Sequence, residues 1–107
     1  MILAMIKIVP SPDKRKALLD ILIPMKGPTL ALPGCLSCSI YEEHGDKGAI
    51  VYVEQWKSPE ALHRHIRSNL YLWLLQAMEL SSEKPEIFFT NVENDNGMEL
   101  IKELRKA

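Results

Sequence analysis

The chain has 107 residues, enough for one compact domain and too few for two, and its 47% hydrophobic and 25% charged fractions are those of an ordinary globular protein. Its 13 basic and 14 acidic residues are interspersed and give a formal net charge of -1, so the electrostatic footprint of a nucleic-acid binder is missing and a membrane-surface role has no support. No run approaches the roughly 18 apolar residues of a membrane span. The apolar start lacks a basic leader and a small-residue cleavage site, so a cytoplasmic protein is expected.

Residues 1–9 carry apolar side chains on both alternating sets, Ile2, Ala4, Ile6 and Ile8 on one and Leu3, Met5 and Val9 on the other, which predicts a strand buried on both faces. Ser11-Pro12-Asp13 then suits a helix start: Ser11 as cap, Pro12 where a missing N–H is harmless, and Asp13 at the positive end of the dipole. Ala17, Leu18, Ile21, Leu22 and Met25 follow at helical spacing, and Pro24, Gly27 and Pro28 are expected to weaken or end that helix before the Pro33-Gly34 turn. Residues 35–42 predict a second strand, 44–48 a hairpin loop, and 49–56 a third strand rich in Ile50, Val51, Tyr52 and Val53. Ser58-Pro59-Glu60 repeats the helix-start pattern and opens a long helix to about residue 80, with Leu62, Ile66, Leu70 and Trp73 at helical spacing and Trp73 read as core. A fourth strand over 86–92, a polar turn over 91–97 and a short helix over 98–106 complete the chain.

The order is thus β-α-β-β-α-β, with the two Ser-Pro-acid starts at equivalent points of two halves. This predicts an α+β protein of ferredoxin-like fold with an antiparallel sheet, spanning residues 1–93, plus a C-terminal tail of residues 94–107. Both main helices cover one sheet face, while strands one and three carry apolar residues on the other as well. A second copy packing sheet to sheet about a two-fold axis is the expected cover, giving a homodimer and a dimeric α+β barrel. The tail helix is too short to persist alone, and it is expected to dock on its own domain or on the partner subunit.

Glu54 and Trp56 at a strand end, Glu60-Ala61 at the next helix start, His65 further along it, and Pro33-Gly34-Cys35 leading into the second strand form a pattern. It resembles that of the antibiotic-biosynthesis-monooxygenase family over residues 1–93. The resemblance implies a dimeric α+β barrel with a pocket between helices and sheet in each subunit. It also implies a cofactor-independent monooxygenase that oxidises a quinol or polycyclic phenol with dioxygen; a non-catalytic dimer of the same fold, binding a small molecule or a partner protein, is the alternative. Haem-degrading relatives carry a Trp where this chain has His65, a His near the position of Leu75 and an Asn on the first strand. None of the three is matched, so haem is not implied.

A site of that kind needs dry apolar walls and one or two titratable groups. His65, whose ordinary pKa suits proton transfer, and Glu54, which would orient it, are the catalytic candidates. Tyr52, Trp56, Leu62, Asn69 and Tyr71 are the candidates for the substrate pocket. For His65 and Glu54 a purely structural role, a helix histidine bonded to a strand-end acid, stands beside the catalytic one. His63 lies about 200° from His65 around a helix and cannot share a metal with it from one face; it and His44 are expected in solvent. Cys35 and Cys38 form one Cys-x-x-Cys without the second pair that a structural zinc site needs, and they read as two small residues at a strand start. With no His-Glu-x-x-His, phosphate loop or Gly-x-Ser-x-Gly, neither a metal nor any cofactor is expected.

Overall fold

Side chains alternate across a pleated strand, so pairing register decides which residues share a face. The computed structural model describes residues 1–45, 47–93 and 96–106. The elements run β1 (Ile2–Ile8), α1 (Arg15–Leu30), β2 (Cys35–Glu42), β3 (Ile50–Trp56), α2 (Pro59–Arg67), α3 (Tyr71–Glu79), β4 (Glu86–Asn91) and α4 (Met98–Leu104). The strands form one antiparallel sheet in the order β2-β3-β1-β4, the ferredoxin-like arrangement. The hairpin loop expected at 44–48 and the polar turn at 91–97 each include residues outside the described set, Asp46 in the first and Asn94 and Asp95 in the second.

On the helix-covered face the register aligns Ile40, Tyr52, Ile6 and Ile87 in one row, Cys38, Glu54, Ala4 and Phe89 in the next, and Cys35, Trp56, Ile2 and Asn91 in a third. Leu18, Leu22 and Met25 of α1 and Leu74 and Ala77 of α3 pack on Ile6, Ile8, Ile50 and Tyr52. Ala61 and Leu62 of α2 pack on Ile2, Ala4 and Trp56 in a second cluster. Burying each of these larger aliphatic side chains is worth about 1.5–3 kcal/mol. Glu54 stands on β3 between the two clusters. The opposite face carries Ser39, Val53, Met5 and Phe88 in one row, with Leu3, Val51 and Tyr41 in the adjoining rows, and no helix among the described residues lies over it. Edge strand β4 is exposed on both sides: Phe88 (53%) on this bare face, Ile87 (46%) and Phe89 (48%) on the other. All described residues of α4 are exposed, Met98, Ile101 and Leu104 among them.

Several local expectations are corrected. Pro24 and Pro28 lie inside α1, which continues to Leu30. Pro24 leaves the Asp20 carbonyl without its helical donor, but Asp20, Pro24 and Pro28 share an exposed face where water serves instead. Ser11 makes no side-chain cap, and a 3-10 turn over Pro12–Lys14 precedes α1. Ser58 does cap α2, accepting from the Ala61 N–H at 3.3 Å. The single helix expected over 58–80 is broken at Ser68, whose backbone is extended, so α2 and α3 turn different faces to the sheet. That break leaves Trp73 55% exposed rather than in the core.

At the α1–β2 turn Gly34 has φ +85, and a Cβ there would stand 2.6 Å from Cβ of Ala61. Its carbonyl accepts from the Lys57 N–H at 2.8 Å, which ties the turn to the start of α2. Gly34→Ala is therefore expected to cost more than about 1 kcal/mol, read as a lower urea midpoint with unchanged slope. An unchanged midpoint would show that α2 can shift to make room.

Candidate active site

Tyr52, Glu54 and Trp56 occupy alternate positions of β3 and all point under the helices. Glu54 is 2% exposed and a buried carboxylate needs partners; three donors supply them. The Tyr52 hydroxyl donates to Oε2 at 2.8 Å, the Trp56 indole N–H donates to Oε1 at 2.9 Å, and His65 Nε2 lies 2.9 Å from Oε2. Behind Tyr52, the Cys38 thiol donates to the phenol oxygen at 3.2 Å. His65, also 2% exposed, is delivered from α2 and is held between rings, tilted on Trp56 at 4.9 Å between centroids and edge-on to Tyr71 at 5.1 Å.

With the carboxylate oxygens accepting, the proton of a neutral imidazole sits on Nε2, and Nδ1 is left as a lone pair. Nδ1 is buried and has no partner among the described residues. His65 also borders, with Leu32, Pro33, Ala61, Arg64 and Ser68, a cavity of about 230 Å³, although its side chain is itself fully covered. An oriented imidazole with a free lone pair is equipped to accept a proton from a hydroxyl group that reaches it.

The surroundings suppress competing ionisation. Burial, reinforced by the negative charge of Glu54, raises Tyr52 well above the usual phenol range and pushes Tyr71 up to about 12. Burial likewise pushes the Cys35 thiol up to about 11, with the charges of Cys38 and Glu54 adding to it, and raises Cys38 against the opposing effect of its bond to Tyr52. All four stay protonated near neutrality.

Of the residues expected at the site, His65, Glu54, Tyr52, Trp56 and Tyr71 come together around the carboxylate and the imidazole. Of these, only His65 is among the residues that line the cavity. Leu62 is buried in the packing beneath α2, and Asn69 is exposed at the junction of α2 and α3, outside the lining. Leu32, Pro33, Ala61, Arg64 and Ser68 were not foreseen; the lining depends on how the turn after α1 meets α2, which no local pattern encodes. Cys38 was also missed. A bulge between Cys35 and Ser37 sets Cys35 opposite Trp56 and Cys38 opposite Glu54, so both face the helices although simple alternation separates them. Among the described residues, no three His, Cys, Asp or Glu side chains are grouped as metal ligands, and no helix is long and apolar enough to cross a membrane.

A four-stranded antiparallel sheet with helices on one face, carrying a buried acid–imidazole pair next to a small apolar cavity, defines a ferredoxin-like α+β protein with a candidate proton-transfer site. The sequence pattern of the antibiotic biosynthesis monooxygenases matches residues 1–73, and the chain belongs to that family. It is 41% identical over 66 residues to the Mycobacterium tuberculosis protein named "Putative monooxygenase Rv0793", a match that spans 62% of this chain and 64% of that relative. The solved structure of Rv0793 superposes with a TM-score of 0.80 at 31% identity, covering 90% of this chain and 98% of that one. A conserved protein from Methanosarcina mazei Go1 shares the fold, with a TM-score of 0.78 at 22% identity over 86% of this chain and 92% of its own.

Three donors converge on one buried carboxylate, so Glu54→Gln, which keeps the shape and removes one acceptor oxygen, is expected to cost about 2–3 kcal/mol. Urea unfolding of the variant measures it. A loss under about 0.5 kcal/mol would show that the network adds little to stability.

Proposed function

We propose that the protein is a cofactor-independent monooxygenase that oxidises a quinol or related phenol with dioxygen, with His65 as general base and Glu54 as the group that orients it. The observation that carries this reading is the unpartnered, buried Nδ1 of His65, a residue at the margin of the cavity whose other ring nitrogen is held by Glu54. In the proposed reaction Nδ1 takes the proton of a bound hydroquinone. The resulting anion is electron-rich enough to pass one electron to dioxygen, and the semiquinone and superoxide combine to form a carbon–oxygen bond. The hydroperoxide then loses water as His65 returns its proton to the departing oxygen. Hydroquinone plus dioxygen thus gives hydroxyquinone plus water, with all four electrons drawn from the substrate. Apolar walls keep water from the intermediates.

The same reading includes a homodimer. An uncovered row of Val53, Met5 and Phe88, beside an edge strand exposed on both sides, is the surface a second copy would close, and the apolar residues of α4 would clasp it. A second reading, a non-catalytic dimer that binds a small aromatic or a partner protein, draws on the burial of His65 and Glu54, since their network closes without a ligand.

Oxygen uptake with a panel of hydroquinones and polycyclic phenols, on protein treated with chelator, tests the activity. Turnover is expected, and His65→Ala, shown to be folded by circular dichroism, should lower it at least about 100-fold. Saturable binding without product across the panel would favour the second reading. Light scattering should give twice the 12.2 kDa chain mass, and Val53→Glu should give the single-chain mass. A wild-type protein that scatters as one chain would remove the dimer from the proposal.

A further inference from the structure

The side chain of His65 is fully covered, and Nδ1 has no partner among the described residues. A group that is to meet a substrate from that position needs a cover that can open. Three helices form the cover, and they are not equally held. Ser58 caps α2, and the Gly34 carbonyl accepts from the Lys57 N–H just before it. The junction of α2 with α3 is closed by the hydroxyl and the N–H of Ser68, which both donate to the His65 carbonyl. No proline or glycine interrupts α3, which buries Tyr71, Leu74 and Ala77.

Helix α1 divides into two unlike halves. In the first, Arg15 donates to the Gly48 carbonyl at 2.7 Å and pairs with Glu42 at 2.9 Å, and Leu18 and Leu22 are fully buried. The second half contains Pro24, Gly27 and Pro28. Each proline lacks the N–H that the helix ladder needs, so the carbonyls of Asp20 and Pro24 lose their helical donors. Gly27 adds backbone freedom. Packing does not call for it, because a Cβ there would meet nothing within 4 Å. Among the described residues, the side-chain hydrogen bonds and ion pairs of α1 belong to Arg15, Lys16 and Asp20, all in the first half. Met25 and Thr29 are the buried side chains of the second half, and the Thr29 hydroxyl is itself without a partner.

This weakly held half lies where an entrance is needed. A groove of about 380 Å³ separates it from α3, with Pro24 and Pro28 on one side and Leu70 and Trp73 on the other, a size within the roughly 300–1,000 Å³ of small-molecule sites. Met25, 3% exposed, borders the groove and also belongs to the buried cluster of Cys38, Tyr52 and Tyr71. Tyr71 in turn stands edge-on to His65. Moving Met25 and the turns that carry it extends the groove inwards to the imidazole, and a methionine changes rotamer readily.

We infer that the second half of α1, residues 24–30, is a hinged cover that lifts from the sheet while the rest of the domain stays folded, and that substrate passes from the groove beyond Met25 to His65 when it does. What enters is set by the monooxygenase reading, on which this rests; the opening itself is a property of α1. The two prolines and the glycine keep that opening frequent by weakening the helix locally.

Cys38 reports on the opening. It is 4% exposed, lies on β2 beneath α1 and bonds to Tyr52, so a thiol reagent reaches it when the cover moves. In Cys35→Ser protein, where Cys38 is the remaining thiol, labelling by a small methanethiosulfonate is followed against urea. It is expected at least about 10-fold faster than global unfolding permits, with a urea slope well below that of unfolding. Gly27→Ala should slow it about 5-fold, and adding Pro24→Ala and Pro28→Ala should slow it further. Hydrogen exchange should show the amides of residues 25–31 less protected than those of residues 19–23. Labelling that carries the full urea slope of unfolding would overturn the inference, since α1 would then move only with the whole domain. Labelling as fast in the stiffened variants as in their parent would overturn it too, since the entrance would lie elsewhere. Oxygen uptake keeps the two proposals apart. Local opening with no turnover of any phenol refutes the monooxygenase and leaves the cover. Turnover by a protein whose Cys38 is labelled only through global unfolding refutes the cover and leaves the monooxygenase.

Discussion

A carboxylate taken out of water must be compensated by donors or it destabilises the fold that buries it. Glu54 is that group here, and the surrounding architecture supplies its compensation from three sides. Two donors, Tyr52 and Trp56, come from its own strand at the alternate positions that pleating places beside it, while the third, His65, comes from α2. Ala4 lies opposite Glu54 on β1, where a small side chain leaves room for the cluster. The network spans the boundary between the two apolar clusters, one under α1 and α3 and the other under α2, and so joins them.

Orientation is what this arrangement achieves for chemistry. His65 is fixed by one hydrogen bond and two aromatic neighbours, and its remaining nitrogen has no partner among the described residues. A structural histidine commonly has both nitrogens satisfied, and this one does not. The phenols and thiols around it are all pushed towards their protonated forms by burial.

The sheet presents a contrasting case. Its helix face is closed by α1, α2 and α3, whereas the opposite face and the edge strand β4 leave apolar side chains unpacked. Lys7, paired with Glu43 at 2.8 Å, places charge at one end of that face. The same alternation that builds the site on one side of β3, through Tyr52, Glu54 and Trp56, puts Val51 and Val53 on the other. Site and uncovered apolar surface are thus two faces of one strand.

Much of this was legible along the chain. Short apolar and β-prone runs between turn signals marked the four strands, the Ser-Pro-acid starts marked both main helices, and their order was sufficient for the ferredoxin-like fold. The shared face of Tyr52, Glu54 and Trp56 followed from pleating alone, because strand periodicity is a local property. Tertiary structure decided the rest. Prolines that seemed to end α1 are tolerated because their unpaired carbonyls face water, and Trp73 left the core because an extended Ser68 breaks the helix that would have carried it inward. Cys38 joined the network through a bulge, and Arg64 and Leu32 came to one cavity because the turn after α1 packs against α2. Such outcomes depend on contacts between residues far apart in the chain, whose energies outweigh local preference, and no window of sequence contains both partners.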